Sequence, residues 1–208
     1  MAKRGLNKMQ HPYFSDGMKI GLFGGSFNPP HAGHALVSER LRFKLNLDLV
    51  WWLVSPQNPL KNETPADPKA RIEACRKIAG HHKTYISDEE TALGSTYTAN
   101  TIAALKRRYP RVNFVWLMGA DSMRAIHRWR NWQQIFEQVP IAVYPRPGET
   151  VRAGLGPAAA CFAQSRIPHN QAAILATHNR PAWTLLEGVL SPLSSTQVRK
   201  LGAAKGSD

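Results

Sequence analysis

Two histidines, His31 and His34, stand three residues apart behind a turn rich in glycine and proline, in the stretch Lys19 to His34 (KIGLFGGSFNPPHAGH). At the start of a helix that spacing places both rings on one face of the first turn. Unpaired amides and the positive end of the macrodipole favour anions there. Two imidazoles in that setting suit a polyphosphate: they can donate hydrogen bonds to oxygens on which charge develops. Zinc also fits a pair of histidines but needs further ligands, and none cluster nearby, so no metal site is assigned. Gly24 and Gly25 lack a Cβ, which lets the chain turn sharply and lets phosphate oxygens approach the backbone. Pro29 and Pro30 stiffen the turn. As separate features, a glycine turn and two surface histidines are common.

To hold such a pair, the chain needs a strand before the turn and a helix after it. Ile20 to Phe23 is short and apolar enough for a buried strand. His31 to Leu45 reads as a helix, with Val37, Leu41 and Leu45 toward a sheet and Glu39, Arg40, Arg42 and Lys44 toward water. Strand, turn and helix in this order form the phosphate-binding corner of an open parallel sheet. Asp48 to Val54 (DLVWWLV) is a second central strand, with Trp51 and Trp52 in the core. A loop crowded with proline and asparagine follows and contains Lys61, by itself an ordinary surface lysine. Asp67 caps a second helix with Pro68 at its first position and Ile72, Cys75, Ile78 and Ala79 on its apolar face.

Thr84 to Ser87 is a third strand. Thr98 is expected to cap a helix whose Ile102, Leu105 and Tyr109 share a side. Asn113 to Met118 forms a fourth strand ending at Gly119-Ala120-Asp121, where Asp121 could simply cap a short helix. Trp129 follows as an exposed stacking surface or a core residue; Trp132, spaced helically with Ile135 and Phe136, fits the core better. Ile141 to Tyr144 is a fifth strand and Thr184 to Leu186 a short last one, with a turn beginning at Gly188. Residues 145–170 read as loops and a surface helix without a functional role. Near the end, Ser194 or Ser195 can cap a helix carrying Val198, Arg199 and Leu201.

With 208 residues, 43% hydrophobic and 20% charged, the chain fits one soluble domain. The formal net charge of +13 points to anionic partners. The two cysteines, Cys75 and Cys161, are far apart and match no metal or redox spacing, so they read as buried apolar residues in a reducing, cytoplasmic setting. No apolar run approaches membrane-spanning length. Residues 1–17 contain Lys3, Arg4 and Lys8 but no apolar core; they read as a flexible extension, with Met18 just ahead of the first strand. There is no internal repeat or second domain. The expected boundaries are 18–201 for the domain and 202–208 for a tail.

The string GGSFNPPHAGH resembles the signature of H-x-G-H nucleotidyltransferases, most closely that of bacterial nicotinate mononucleotide adenylyltransferases. SSTQVR near the end is similar to that family's second signature, so the resemblance spans Met18 to Leu201. It implies a single Rossmann-like α/β domain with a mostly parallel sheet flanked by helices, and transfer of an adenylyl group from ATP to nicotinate mononucleotide. It implies His31, His34 and Arg199 as catalytic. For ATP it implies Gly24, Gly25, Ser26, Phe27, Gly33, Gly119, Asp121, Ser194, Ser195 and Thr196. For the mononucleotide it implies Lys61, Tyr97, Thr98 and Trp129, with backbone amides near Tyr97 meeting the nicotinate carboxylate. TYTANT departs from the family's usual S-Y-T-x-D-T, placing Asn100 where an aspartate is usual. Mg²⁺ is expected to arrive with ATP, held through phosphates and water. Phosphopantetheine adenylyltransferase shares both signatures in looser form. Class I aminoacyl-tRNA synthetases share H-x-G-H but are longer. A basic RNA-binding module would account for the charge, yet aromatics interleaved with basic residues are missing, so no nucleic-acid or membrane partner is expected. The sequence leaves the oligomeric state open.

Overall fold

The computed structural model describes residues 13–55, 67–80, 83–92 and 97–188. Six strands form one sheet: β1 (Lys19–Gly25), β2 (Leu49–Val54), β3 (Thr84–Ser87), β4 (Asn113–Gly119), β5 (Ile141–Tyr144) and β6 (Trp183–Leu185). Every neighbouring pair is parallel, in the order β3-β2-β1-β4-β5-β6. The order reverses between β1 and β4, the crevice where open α/β sheets take ligands.

A parallel sheet needs crossover connections, and here they cover both faces. The helices are α1 (Ala32–Lys44), α2 (Pro68–Ala79), α3 (Glu89–Ala92), α4 (Thr98–Arg108), α5 (Ala120–Ala125), α6 (Trp132–Gln138), α7 (Thr150–Gly154) and α8 (Pro157–Cys161), with 3₁₀ turns at Ile126–Arg128, Ala163–Ser165 and His169–Thr177. Alternate strand residues separate into two cores. Leu22, Trp51, Trp116 and Val143 pack with Ile102 of α4 and Phe136 of α6. Phe23, Trp52, Leu117 and Ala142 pack with Leu41 of α1, Cys75 of α2 and Leu175. Burial on both faces explains why DLVWWLV and NFVWLM are continuously apolar rather than alternating. Trp51 and Trp52 can sit at the centre because their indole N–H groups donate to Ser87 (2.7 Å) and Ser38 (2.9 Å).

Several expectations change in detail. The cap of α4 is Tyr97, and Thr98 is the first helical residue, because the Tyr97 carbonyl already accepts from Asn100 and Thr101. Gly119, rather than Asp121, caps α5. The last strand begins and ends one residue earlier than expected. Cys75 is buried, but Cys161 is exposed, since Ala158 and Ala159 take the inward positions of α8. Phe14 lies within the stretch expected to be an extension, yet it packs against Trp51 and Tyr109 with ring centroids 5.3 and 5.0 Å apart. Among the described residues no helix is long and apolar enough to cross a membrane.

Candidate active site

The cleft lies at the carboxyl ends of the central strands. It is lined by Phe23, His31, Gly33, His34, Tyr144 and Arg146, among others. His31 occupies the N-cap of α1 and His34 its third position, so the first turn brings the ring centroids to 3.8 Å. The His31 backbone N–H donates to Nδ1 of His34 (3.2 Å). His34 also lies 5.0 Å from the Phe27 ring and 6.2 Å from Phe23. Burial, then the neighbouring His31 and Arg146, hold the His34 pKa down at about 3, so the ring is neutral at physiological pH. Burial and Arg146 lower His31 as well. His31 is only 7% exposed, and neither of its ring nitrogens has a hydrogen-bond partner among the described residues. Buried polar atoms of that kind are costly unless something in the cleft completes them.

Opposite the histidines, Arg146 forms an ion pair with Asp121 (Nε to Oδ1, 3.0 Å) and donates from Nη2 to the Tyr144 hydroxyl (3.1 Å). A Cβ on Gly119 would overlap the Asp121 carboxylate and lie 2.8 Å from Arg146 Nε. The glycine thus lets β4 end directly beneath this pair. A neutral histidine pair and a guanidinium held by Asp121 and Tyr144 line one cleft. Such a site can bind phosphate oxygens and neutralise charge that develops on them.

Residues 22–201 match the cytidylyltransferase-like family. A "Probable nicotinate-nucleotide adenylyltransferase" of Ruegeria sp. (strain TM1040) is 47% identical over 189 residues, covering 91% of this chain and all of the relative. One with the same description from Caulobacter sp. (strain K31) is 51% identical, covering 88% of this chain and 97% of the relative. The chain belongs to the nicotinate-nucleotide adenylyltransferase family. It is therefore a nucleotidyltransferase. Its fold is similar to that of a Plasmodium falciparum nicotinic acid mononucleotide adenylyltransferase complexed with APC, at TM-score 0.63 and 16% identity, covering 88% of this chain and 83% of that one. The same parasite protein complexed with NaAD gives a TM-score of 0.62, with the same identity and coverage.

The structure distributes the expected family residues unevenly. His31, Gly33 and His34 line the cleft, while Gly119 and Asp121 border it through Arg146. Gly24 and Gly25 are glycines for packing as well as for access: a Cβ on Gly24 would overlap the Trp116 indole, and one on Gly25 would lie 3.2 Å from the Phe27 ring. Phe27 itself stacks on Trp52 (5.0 Å, 4°), so its side chain belongs to the core and only its backbone is available to a ligand. The Ser26 carbonyl accepts from Arg71 Nη1 at 2.6 Å.

Arg130, which follows Trp129 in the chain, places its guanidinium 4.9 Å over the Tyr97 ring. Trp129 is half-buried against the core, and neither Tyr97 nor Trp129 is part of the cleft lining. Lys61, Ser194, Ser195, Thr196 and Arg199 lie outside the described residues. Sequence reasoning missed Arg146, in a segment given no function, and Tyr144, read only as the end of a strand. Their available signal was position: they end and follow β5, which pairs with the switch-point strand β4.

Proposed function

We infer that this chain transfers the adenylyl group of ATP to nicotinate mononucleotide, giving deamido-NAD and pyrophosphate, a step of NAD biosynthesis. The observation that carries the reading is the buried, neutral histidine pair at the start of α1, facing Arg146 at the β1/β4 switch point.

The mononucleotide phosphate is already an anion, so no side chain has to act as nucleophile. One of its oxygens attacks the α-phosphorus, a new P–O bond forms, and the bond to the departing pyrophosphate breaks. The protein's task is alignment and charge neutralisation. With Nδ1 accepting from the backbone, neutral His34 carries its proton on Nε2 and offers it to an α-phosphate oxygen. His31 adds a second donor, and Arg146 a charge that cannot be lost. Within this proposal, the backbone of Gly24 to Phe27 and the Gly119–Asp121 corner hold ATP. Ser194, Ser195, Thr196 and Arg199 clamp the outer phosphates. Lys61, Tyr97, Thr98 and Trp129 receive the mononucleotide.

Among the described residues, no three His, Cys, Asp or Glu side chains group as a metal site, and Asp121 is engaged by Arg146. A Mg²⁺ would enter on the triphosphate, held through phosphate oxygens and water. When bound, that ion would neutralise charge on the leaving pyrophosphate. The buried Cys75 thiol, pushed up to about 12 by burial, takes no part, and a reducing cytoplasm is the setting that two free cysteines support.

The test is pyrophosphate release from ATP with nicotinate mononucleotide, nicotinamide mononucleotide and phosphopantetheine offered separately. Release is expected with the pyridine mononucleotides, nicotinate first. Release with phosphopantetheine alone would overturn the assignment.

A further inference from the structure

The single-turn α3 places Glu90 in the interior, 2% exposed, with no role in the histidine cleft. A carboxyl this buried needs hydrogen-bond partners. Its partners are hydroxyls: Ser55 Oγ donates to Oε2 in a very short bond, and the Thr101 hydroxyl is the second. The adjacent Glu89, by contrast, takes the Arg108 guanidinium at 2.8 Å.

Both hydroxyl-bearing residues lead further. The Ser55 carbonyl accepts from Arg71 Nη1 at 2.7 Å, and the same nitrogen donates to the Ser26 carbonyl at 2.6 Å. The Thr101 hydroxyl reaches the Tyr97 carbonyl at 3.4 Å. A continuous polar chain therefore runs Ser26–Arg71–Ser55–Glu90–Thr101–Tyr97. It joins the turn after β1 to the start of α4, with Glu90 as its central link.

Counting hydrogens gives two arrangements of the link. Ser55 has one hydroxyl hydrogen and gives it to Glu90. If Glu90 is ionised, Thr101 gives it its only hydrogen, and the Tyr97 carbonyl keeps the Asn100 and Thr101 backbone N–H groups. If Glu90 is protonated, it donates to Thr101, and Thr101 keeps its own hydrogen for Tyr97. Burial pushes the Glu90 pKa up, against the opposing pull of the Ser55 and Thr101 hydroxyls.

We propose that Glu90 is a positioning residue that fixes the separation between the ATP-side turn at Gly25–Phe27 and the mononucleotide-side start of α4. The proposal rests on the reading that Tyr97 and Thr98 meet the mononucleotide. In-line transfer is sensitive to such a separation, since misplacement by about 1 Å can cost about a hundredfold in rate.

Two variants test it. Glu90→Gln keeps both links: its carbonyl can accept from Ser55 and its NH₂ can donate to Thr101. Glu90→Ala cuts the chain. Expected for Glu90→Gln is a kcat within about threefold of wild type; for Glu90→Ala, a kcat lower by roughly tenfold or more, while the Kd of each substrate measured alone moves less than about threefold. Amide hydrogen exchange supplies a readout that needs no turnover. In Glu90→Ala, exchange should quicken at both the Gly25–Phe27 turn and Thr98–Thr101; in Glu90→Gln, at neither.

Wild-type kcat in Glu90→Ala, equal behaviour of the two variants, or quickened exchange confined to residues 89–92 would overturn the proposal. If wild type is inactive on nicotinate mononucleotide but both segments still loosen together in Glu90→Ala, the substrate reading falls and the coupling stands. Thr101→Val, isosteric and lacking the hydroxyl, makes the same comparison if Glu90→Ala does not fold.

Discussion

The backbone N–H of His31 donates to Nδ1 of His34 across 3.2 Å, and that bond decides which nitrogen of His34 carries the proton. With Nδ1 accepting, a neutral ring must keep its hydrogen on Nε2, the nitrogen free to donate into the cleft. The chain thus sets the tautomer through the geometry of its own helix cap.

His34→Ala removes that donor and is expected to lower kcat by about a hundredfold or more, with a much smaller change in ATP affinity. Near-normal turnover would take His34 out of the mechanism. The depressed pKa adds a pH signature. Below pH about 6.5 an unfolded histidine binds a proton that folded His34 refuses until about pH 3. Stability should therefore fall as pH drops through that window, by up to about 1.4 kcal/mol per pH unit for this group. Urea denaturation of wild type and His34→Gln between pH 7 and pH 4 would reveal it as a shallower slope in the variant. Parallel slopes would contradict a buried neutral ring.

Gly119→Ala puts a methyl group where the Asp121 carboxylate and Arg146 Nε meet. The expected result is loss of the Arg146 position and a fall in kcat/KM of roughly tenfold or more. Adding Arg146→Ala should then cost little more, because both changes remove the same interaction. Fully additive losses in the double variant would show that Arg146 acts independently of this corner.

Nicotinate and nicotinamide have nearly the same shape, so a stacking surface cannot separate them. Trp129→Ala should weaken both mononucleotides, by about 1–3 kcal/mol each, and leave their kcat/KM ratio nearly unchanged. The preference for nicotinate should come from backbone amides near Tyr97, which satisfy a carboxylate and oppose an amide NH₂. A ratio that collapses along with the indole would place selectivity on Trp129 instead.

Phe14→Ala tests whether the region ahead of Met18 belongs to the domain. Phe14 is 9% exposed and touches Trp51, Tyr85 and Tyr109, so its loss should cost about 3 kcal/mol in chemical denaturation. An unchanged midpoint would return this region to an extension.

The strands were legible because burial on both sides leaves an unbroken apolar run, as at Trp51 and Trp52. The first helix was legible because Val37, Leu41 and Leu45 repeat at its pitch. The histidine pair was legible for a local reason: its geometry is that of one helical turn. Arg146 was not, because its meaning lies in a neighbour from elsewhere in the chain, Asp121, and sequence spacing says nothing about that approach. Nothing in the run Asp88-Glu89-Glu90 marks its last two acids as buried; only the fold shows Glu90 reaching Ser55 and Glu89 pairing with Arg108. Phe27 lies in the same glycine-rich string as the histidine pair, and only the fold shows that its ring packs on Trp52 in the core.

The strand order also bears on how the protein comes off the ribosome. Residues 19–87 supply β1, β2 and β3 as adjacent neighbours, and with them both histidines, but β1 then still has an open edge. Asp121, Tyr144 and Arg146 arrive only with β4 and β5 on the far side of that edge. The first half of the chain can thus contain the donors without the guanidinium that faces them. At ordinary rates of synthesis the interval between His34 and Arg146 is on the order of ten seconds. Until β4 is made, the seam that becomes the cleft is an unpaired strand edge, the feature of a nascent chain most exposed to wrong partners.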